Sequence, residues 1–501
     1  MQQFIEAFIS GLSLKFYILQ VLAILLIFAY GFVFMLAVRG KKCSILDALL
    51  SYPIGLITYS IAGYFLLSSG IPFNGITQLL VMAAFLTIVL ICFRKNVLDL
   101  FGSEWDRKLS IIALIVIILA LICTSGIIPV SNTNDSMYFF SEYPRALVYY
   151  GNLNAQLDNF LTDASQGIAI LGTIPCFMGF DEIFGMQAFF NVNFIALFFY
   201  AAFDITKQKL AREKITNAKA FLLSLTAILL LMTSMPFVLM SRWFMANMFF
   251  MEYFMIVAYA AYKYSKNTKP ADLLVISMLI TGISIMRMEG ALNAGIIILC
   301  IMILPYKNID VVKYMVCPVL VLQAMFLFRV FEILTLHTDI QFMTKGKAAI
   351  LLAFLVAIIM YCLIIRNRFF AKLLQYYQWI LVAGLLLVNI AVCFYDRADY
   401  ITNIKAFIAN TTRNSGWGLF VSVFIGIIII VPKKSIKINY FDITAICFIL
   451  LTIIAAWARG DALYESFGDS GNRVLIQVVP LLVLCIYVKI LDALHYISME
   501  K

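Results

Sequence analysis

The sequence predicts an all-α integral membrane protein, and three observations carry that expectation. Hydrophobic residues make up 63% of the 501 and charged residues only 13%, against roughly 45–50% and about 25% in a soluble domain. Apolar runs of about 18–22 residues recur along the whole chain, each able to cross a hydrocarbon core of about 30 Å. The runs are continuous and do not alternate, which excludes a β-barrel. Basic clusters punctuate them at regular intervals. Together these give a single polytopic domain over 1–501, a bundle of about fifteen transmembrane helices.

The runs are justified in order by where their charges fall. A first span at about 13–37 ends at Arg39, Lys41 and Lys42, which the positive-inside rule places in the cytoplasm. It lacks a small-residue cleavage site, so it does not read as a signal peptide. Spans at about 46–68 and 76–93 return to Arg94 and Lys95, and 94–108 is expected inside. These N-terminal spans, 1–108, precede a core segment, 109–305. There a span at 109–130 rises outward and one at about 183–203 returns to the cluster Lys207, Lys209, Arg212, Lys214 and Lys219. Spans at about 220–240 and 243–262 return to Lys263, Lys266 and Lys269, and the next pair turns outside at 287–290. The C-terminal segment, 306–501, continues with spans at about 314–335, 348–365, 374–395, 417–431, 441–458 and 475–494. Its outer loops are expected at 396–416 and 459–474. The N-terminus falls outside and the C-terminus inside.

The formal charge of +10 is distributed in these short clusters, so it marks membrane topology and not a nucleic-acid partner. Ten cysteines contain no C-x-x-C pair and lie almost entirely within spans, as buried apolar thiols do. Two histidines, His337 and His495, are too far apart in sequence to suggest a histidine metal site. No Walker A loop, dinucleotide fingerprint, H-E-x-x-H or G-x-S-x-G motif occurs.

One segment stands apart. Residues 131–182 are crowded with acids, amides and aromatics between apolar runs, and a connection of about fifty residues is usually functional or disordered. Its aromatic content speaks against disorder, and the charge topology places it outside as one wall of a site. After the cap-forming run Ser131–Ser136, residues 136–150 have helical spacing. Asp135, Glu142 and Tyr149, seven apart, share a face with Arg145. Asp135 is also placed to cap that helix, and Glu142 with Arg145 could be only a surface ion pair. Other ionisable residues collect on the same outer side, among them Arg242, Arg287, Glu289, Arg459 and Arg473. Ionisable groups at a membrane boundary are functional candidates by default.

The run DSMYFFSEYPRALVYYGNLNAQ resembles the first outer-loop signature of bacterial multi-pass membrane glycosyltransferases of the GT-C type. Asp135, Ser136 and Met137 match its opening, Pro144 and Arg145 its Pro-Arg, and Gly151-Asn152 its closing Asn-Gly in reverse. Two extra residues precede Pro144, and Glu142 stands where the family has histidine, so that histidine's role does not carry over. Arg287-Met288-Glu289-Gly290 resembles the family's outer Arg-Pro-Glu-Gly turn, and Gly471-Asn472-Arg473 before Pro480 its late Gly-Arg-Tyr…Pro segment. The resemblance covers residues 105–300 and the C-terminal pair of spans.

It implies a GT-C-like bundle that moves a sugar from a polyprenyl-phosphate donor to a glycan, lipid or protein hydroxyl at the outer face of the inner membrane. Asp135 would be the base, with Glu142 the second catalytic candidate on its face. Arg287 and Arg473, then Arg145, Arg242 and Arg459, would hold the phosphate, with Glu289 beside them. No cofactor is required, although the outer acids are compatible with a divalent metal. A transporter or flippase of lipid-linked saccharide, or an O-antigen-type polymerase or ligase, are the alternatives.

Overall fold

The computed structural model describes residues 14–100, 105–128, 142–152, 166–179, 184–243, 246–264, 269–286, 290–301, 376–412, 417–435, 438–459 and 474–500, with scattered positions between 316 and 360. It is almost wholly helical, and no strand occurs among the described residues. The helices fall on the apolar runs. They are α1 (Leu14–Arg39), α2 (Ile45–Ser68), α3 (Gly75–Cys92), the short α4 (Arg94–Leu98) and α5 (Trp105–Thr124). Next come α6 (Tyr143–Tyr150), α7 (Gln166–Phe177), α8 (Phe184–Lys209), α9 (Asn217–Met232), α10 (Met235–Met240) and α11 (Ala246–Tyr264). The chain continues with α12 (Pro270–Met286), α13 (Gly290–Ile301), α14 (Tyr377–Tyr395), α15 (Arg397–Thr412), α16 (Trp417–Ile430), α17 (Tyr440–Arg459) and α18 (Val479–Glu500). Among the described residues, seven helices, on the runs of α1, α2, α3, α8, α14, α17 and α18, are long and apolar enough to cross a membrane. The chain is an all-α membrane protein. The spans expected at 314–335 and 348–365 lie where only scattered positions are described.

Local chemistry sets the helix starts. Ser44 accepts from the Asp47 amide while the Asp47 carboxylate accepts from the Ser44 amide, a capping box that opens α2. Asn74 and Thr77 repeat the device at α3. Close approach then packs α1 on α2. A Cβ on Gly31 would collide with the Ser51 carbonyl, and one on Gly55 with the Ile27 carbonyl. Small residues that let backbones touch are how helices associate in lipid, where burial of apolar surface offers little drive. The first span is thus a packed member of the bundle.

One end of the bundle gathers the ion pairs. Arg39, closing α1, binds Asp47 at 3.0 Å and Asp272 at the start of α12, and its guanidinium stacks 4.2 Å over the Tyr264 ring. Lys263 meets Asp204 at 2.5 Å, Lys209 meets Asp492 at 2.6 Å, and Lys489 meets Asp442 at 2.7 Å. His495 contacts Glu213 nearby. These are the helix ends that the basic clusters assign to the inside. The opposite end joins the N-terminal half of α1 to α5 and α8, through Tyr17 Oη to the Leu121 carbonyl and the Gly185 amide to Gln20 Oε1.

Four departures from the sequence reading have physical causes. The segment 131–182, expected wholly outside, contains α7, whose residues Ile168–Leu171 are fully buried. Its twelve residues are too short for a span yet too apolar for water. The span expected at 220–240 breaks after Met232, where Ser234 and Pro236 end one helix and start α10. The outer loop expected at 396–416 contains helix α15, which buries Asn403, Ala406, Ala409 and Asn410 on one face. Finally, α11 is not among the seven candidate spans, because Asn247, Glu252 and its tyrosines dilute its apolar character. It is a core helix walled by protein, with Met248 to Ala261 almost without exposure.

Candidate functional site

The best-described part of the expected site is α6. Pro144 lies in its first turn, where a missing amide hydrogen costs nothing, and Gly151 ends it in the left-handed region at φ 67°. The Gly151 amide donates to the Leu147 carbonyl at 3.0 Å, and its own carbonyl accepts from the Phe73 amide at 2.6 Å. That second bond fastens α6 to the turn between α2 and α3. Pro144 and Leu147 face the core, whereas Glu142, Arg145 and Tyr149 are exposed. The helix therefore turns an acid, a base and a phenol outward together, held by an apolar underside. Asp135 and the rest of 131–141 lie outside the described residues.

Beneath α6 runs α7, fixed by polar contacts to α2. Ser60 Oγ donates to the Gly167 carbonyl at 2.9 Å, and the Tyr59 and Thr173 hydroxyls lie 2.8 Å apart. Gln78 from α3 completes the contact by donating to the Tyr59 carbonyl at 2.7 Å. A Cβ on Gly63 would press on Ile170, so α7 sits tightly in the bundle. A closely packed platform therefore lies below the exposed face of α6.

Arg242 occupies a second position at this end. It is the exposed middle residue of the turn 241–243, which joins α10 towards α11. Two amides of α8 hold that turn: Asn191 Nδ2 donates to the Ser241 carbonyl at 2.7 Å and Gln187 Nε2 to the Trp243 carbonyl at 2.8 Å. Trp243, the residue that follows Arg242, is half-buried. Arg287, Glu289 and Arg473 lie outside the described residues, and Arg459 is the last residue of α17. Gly290, directly after Glu289, packs so closely on the end of α12 that a Cβ would meet the Ile283 and Ser284 carbonyls. Gly290 thus opens α13 in close contact with the end of α12. Among the described residues, no group of three His, Cys, Asp or Glu is placed to hold a metal ion.

No family model matches the chain. Neither a curated protein nor a solved structure matches it significantly.

One ionisable residue was passed over in the sequence. Glu252 in α11 is 1% exposed, and neither carboxylate oxygen has a hydrogen-bond partner. Its signal was available, as the lone acid inside the apolar run 243–262.

Proposed function

We propose that this chain is a membrane glycosyltransferase of the GT-C type, taking its sugar from a polyprenyl-phosphate donor and inverting the anomeric centre. The supporting observation is the run 135–152, whose described half is a helix with Glu142, Arg145 and Tyr149 uncovered above a buried apolar underside. An acceptor hydroxyl is a weak nucleophile, so Asp135 takes its proton as the new bond to the anomeric carbon forms. The bond to the carrier phosphate breaks on the opposite face. The departing phosphate gathers charge that guanidinium groups stabilise, with Arg287 and Arg473 first and Arg145, Arg242 and Arg459 behind them. Glu142, seven residues after Asp135, is the second acid candidate, and Glu289 follows Arg287 by two residues in the sequence.

The test is direct. Purified protein is incubated with a panel of polyprenyl-phosphate sugars, and release of free polyprenyl phosphate is followed. Transfer from at least one donor, reduced about 10²–10⁴-fold by Asp135→Asn with folding intact, is the expected result. Full activity in that variant would remove Asp135 from the mechanism, and no release from any donor would remove the enzyme reading. The second reading, a transporter or flippase of lipid-linked saccharide, draws support from Glu252, since buried acids mark relay pathways in transporters. Movement of unaltered donor across a vesicle membrane would favour it.

A further inference from the structure

We infer that Glu252 is a proton-binding site in the interior of the bundle, loaded from the end that carries the ion pairs. The inference is independent of the glycosyltransferase reading. Buried carboxyls are normally hydrogen-bonded, and an isolated carboxylate among apolar side chains is too costly to persist. Both oxygens of Glu252 lack a partner, and the residue is 1% exposed. Its charge must therefore be matched by something that arrives.

Among the described residues, no cation on the elements packed around α11 pairs with Glu252. Asp204 on α8 is matched by Lys263, Asp272 on α12 by Arg39, and Asp442 on α17 by Lys489 of α18. Tyr253, the neighbouring residue, donates to the Pro53 carbonyl of α2. A proton is the one cation that a single carboxyl binds without further ligands.

The route is written along α11 itself. Tyr259 lies seven residues after Glu252 and Lys263 four further, so the three share one helix face. Asp204 bridges the last two, accepting from Tyr259 Oη at 2.9 Å and from Lys263 Nζ at 2.5 Å. The Lys263 side chain is 30% exposed, which opens this line to the bundle's end. Two helical turns, about 10 Å, separate Tyr259 from Glu252, and that face carries Met255 and Ile256 between them. Proton entry is therefore slow and depends on the Tyr259–Asp204 end.

Full-length protein in lipid nanodiscs is treated with dicyclohexylcarbodiimide. A protonated carboxylic acid adds across one C=N bond, and the O-acylisourea rearranges to a stable N-acylurea with no atom lost. Peptide mapping should find the adduct on Glu252, with labelling that falls as pH rises. Absence of the adduct at every pH, or labelling indifferent to pH, overturns the site. Protection by sodium at constant pH also overturns it, in favour of a metal-cation site. A second measurement uses the infrared carbonyl band of the protonated acid, which Glu252→Gln should delete. Its exchange in D2O should slow at least about fivefold in Asp204→Asn; an unchanged rate overturns the entry route.

Discussion

Arg39 stands between two carboxylates, and the balance there is one cation to two acids. The side chains of Arg39, Asp47 and Asp272 are 11%, 3% and 4% exposed, so water screens little of the interaction. Removing the cation strands two buried acids, a change that typically costs about 3–5 kcal/mol. Arg39→Gln should therefore lower the thermal midpoint sharply, and adding Asp272→Asn should restore part of the loss; additivity in a double-mutant cycle would show that the pair is not coupled. Cys43 lies beside this cluster, outside the spans. Burial pushes its thiol up to about 12, with Asp47 adding to the rise and Arg39 opposing it. A variant keeping only Cys43 should alkylate at a rate that still climbs at pH 10, about tenfold per unit, because the reactive thiolate is withheld. A plateau near the ordinary thiol value of about 8.5 would show an accessible thiol.

Helices are where the sequence was most readable. The runs at 46–68, 76–93 and 441–458 became Ile45–Ser68, Gly75–Cys92 and Tyr440–Arg459, because a hydrophobic stretch of membrane length has few other outcomes. What escaped was decided by neighbours. The run GIAILGTIPCF in α7 is too short to announce itself, and only its contacts with Ser60 and Tyr59 explain its burial. Spacing foretold the shared face of Glu142, Arg145 and Tyr149, whereas Glu252, legible as the lone acid of an apolar run, shows its lack of hydrogen-bond partners only in the fold. Glycine contacts are likewise invisible in the chain. Gly31→Ala should destabilise by about 1–3 kcal/mol, since the Ser51 carbonyl leaves no room for a methyl group. Gly384 in α14 has nothing within 4 Å of its Cβ position, so Gly384→Ala should change little. Unfolding in a detergent titration compares the two, and equal midpoints would mean that the α1–α2 crossing is not tight.

For the molecule as a whole, the ion pairs on one end and the α6 platform on the other define an axis. The positive-inside rule assigns the ion-paired end to the cytoplasm. A fluorescent protein fused after Lys501 should accordingly mature, and alkaline phosphatase fused after Ser125 should be active; the reverse pattern would invert the orientation and move the proposed transfer chemistry to the inner side. The placement of α7 has one more consequence. Earlier in the chain, α1 and α2 pack against α8, and α2 also packs against α12, so segments on both sides of 153–165 hold each other. A protease site engineered at 153–165 should therefore yield two fragments that migrate separately under denaturing conditions yet elute as one particle in mild detergent. The protein should also be expressible as two separate genes split there, reassembling in the membrane like the halves of a zip.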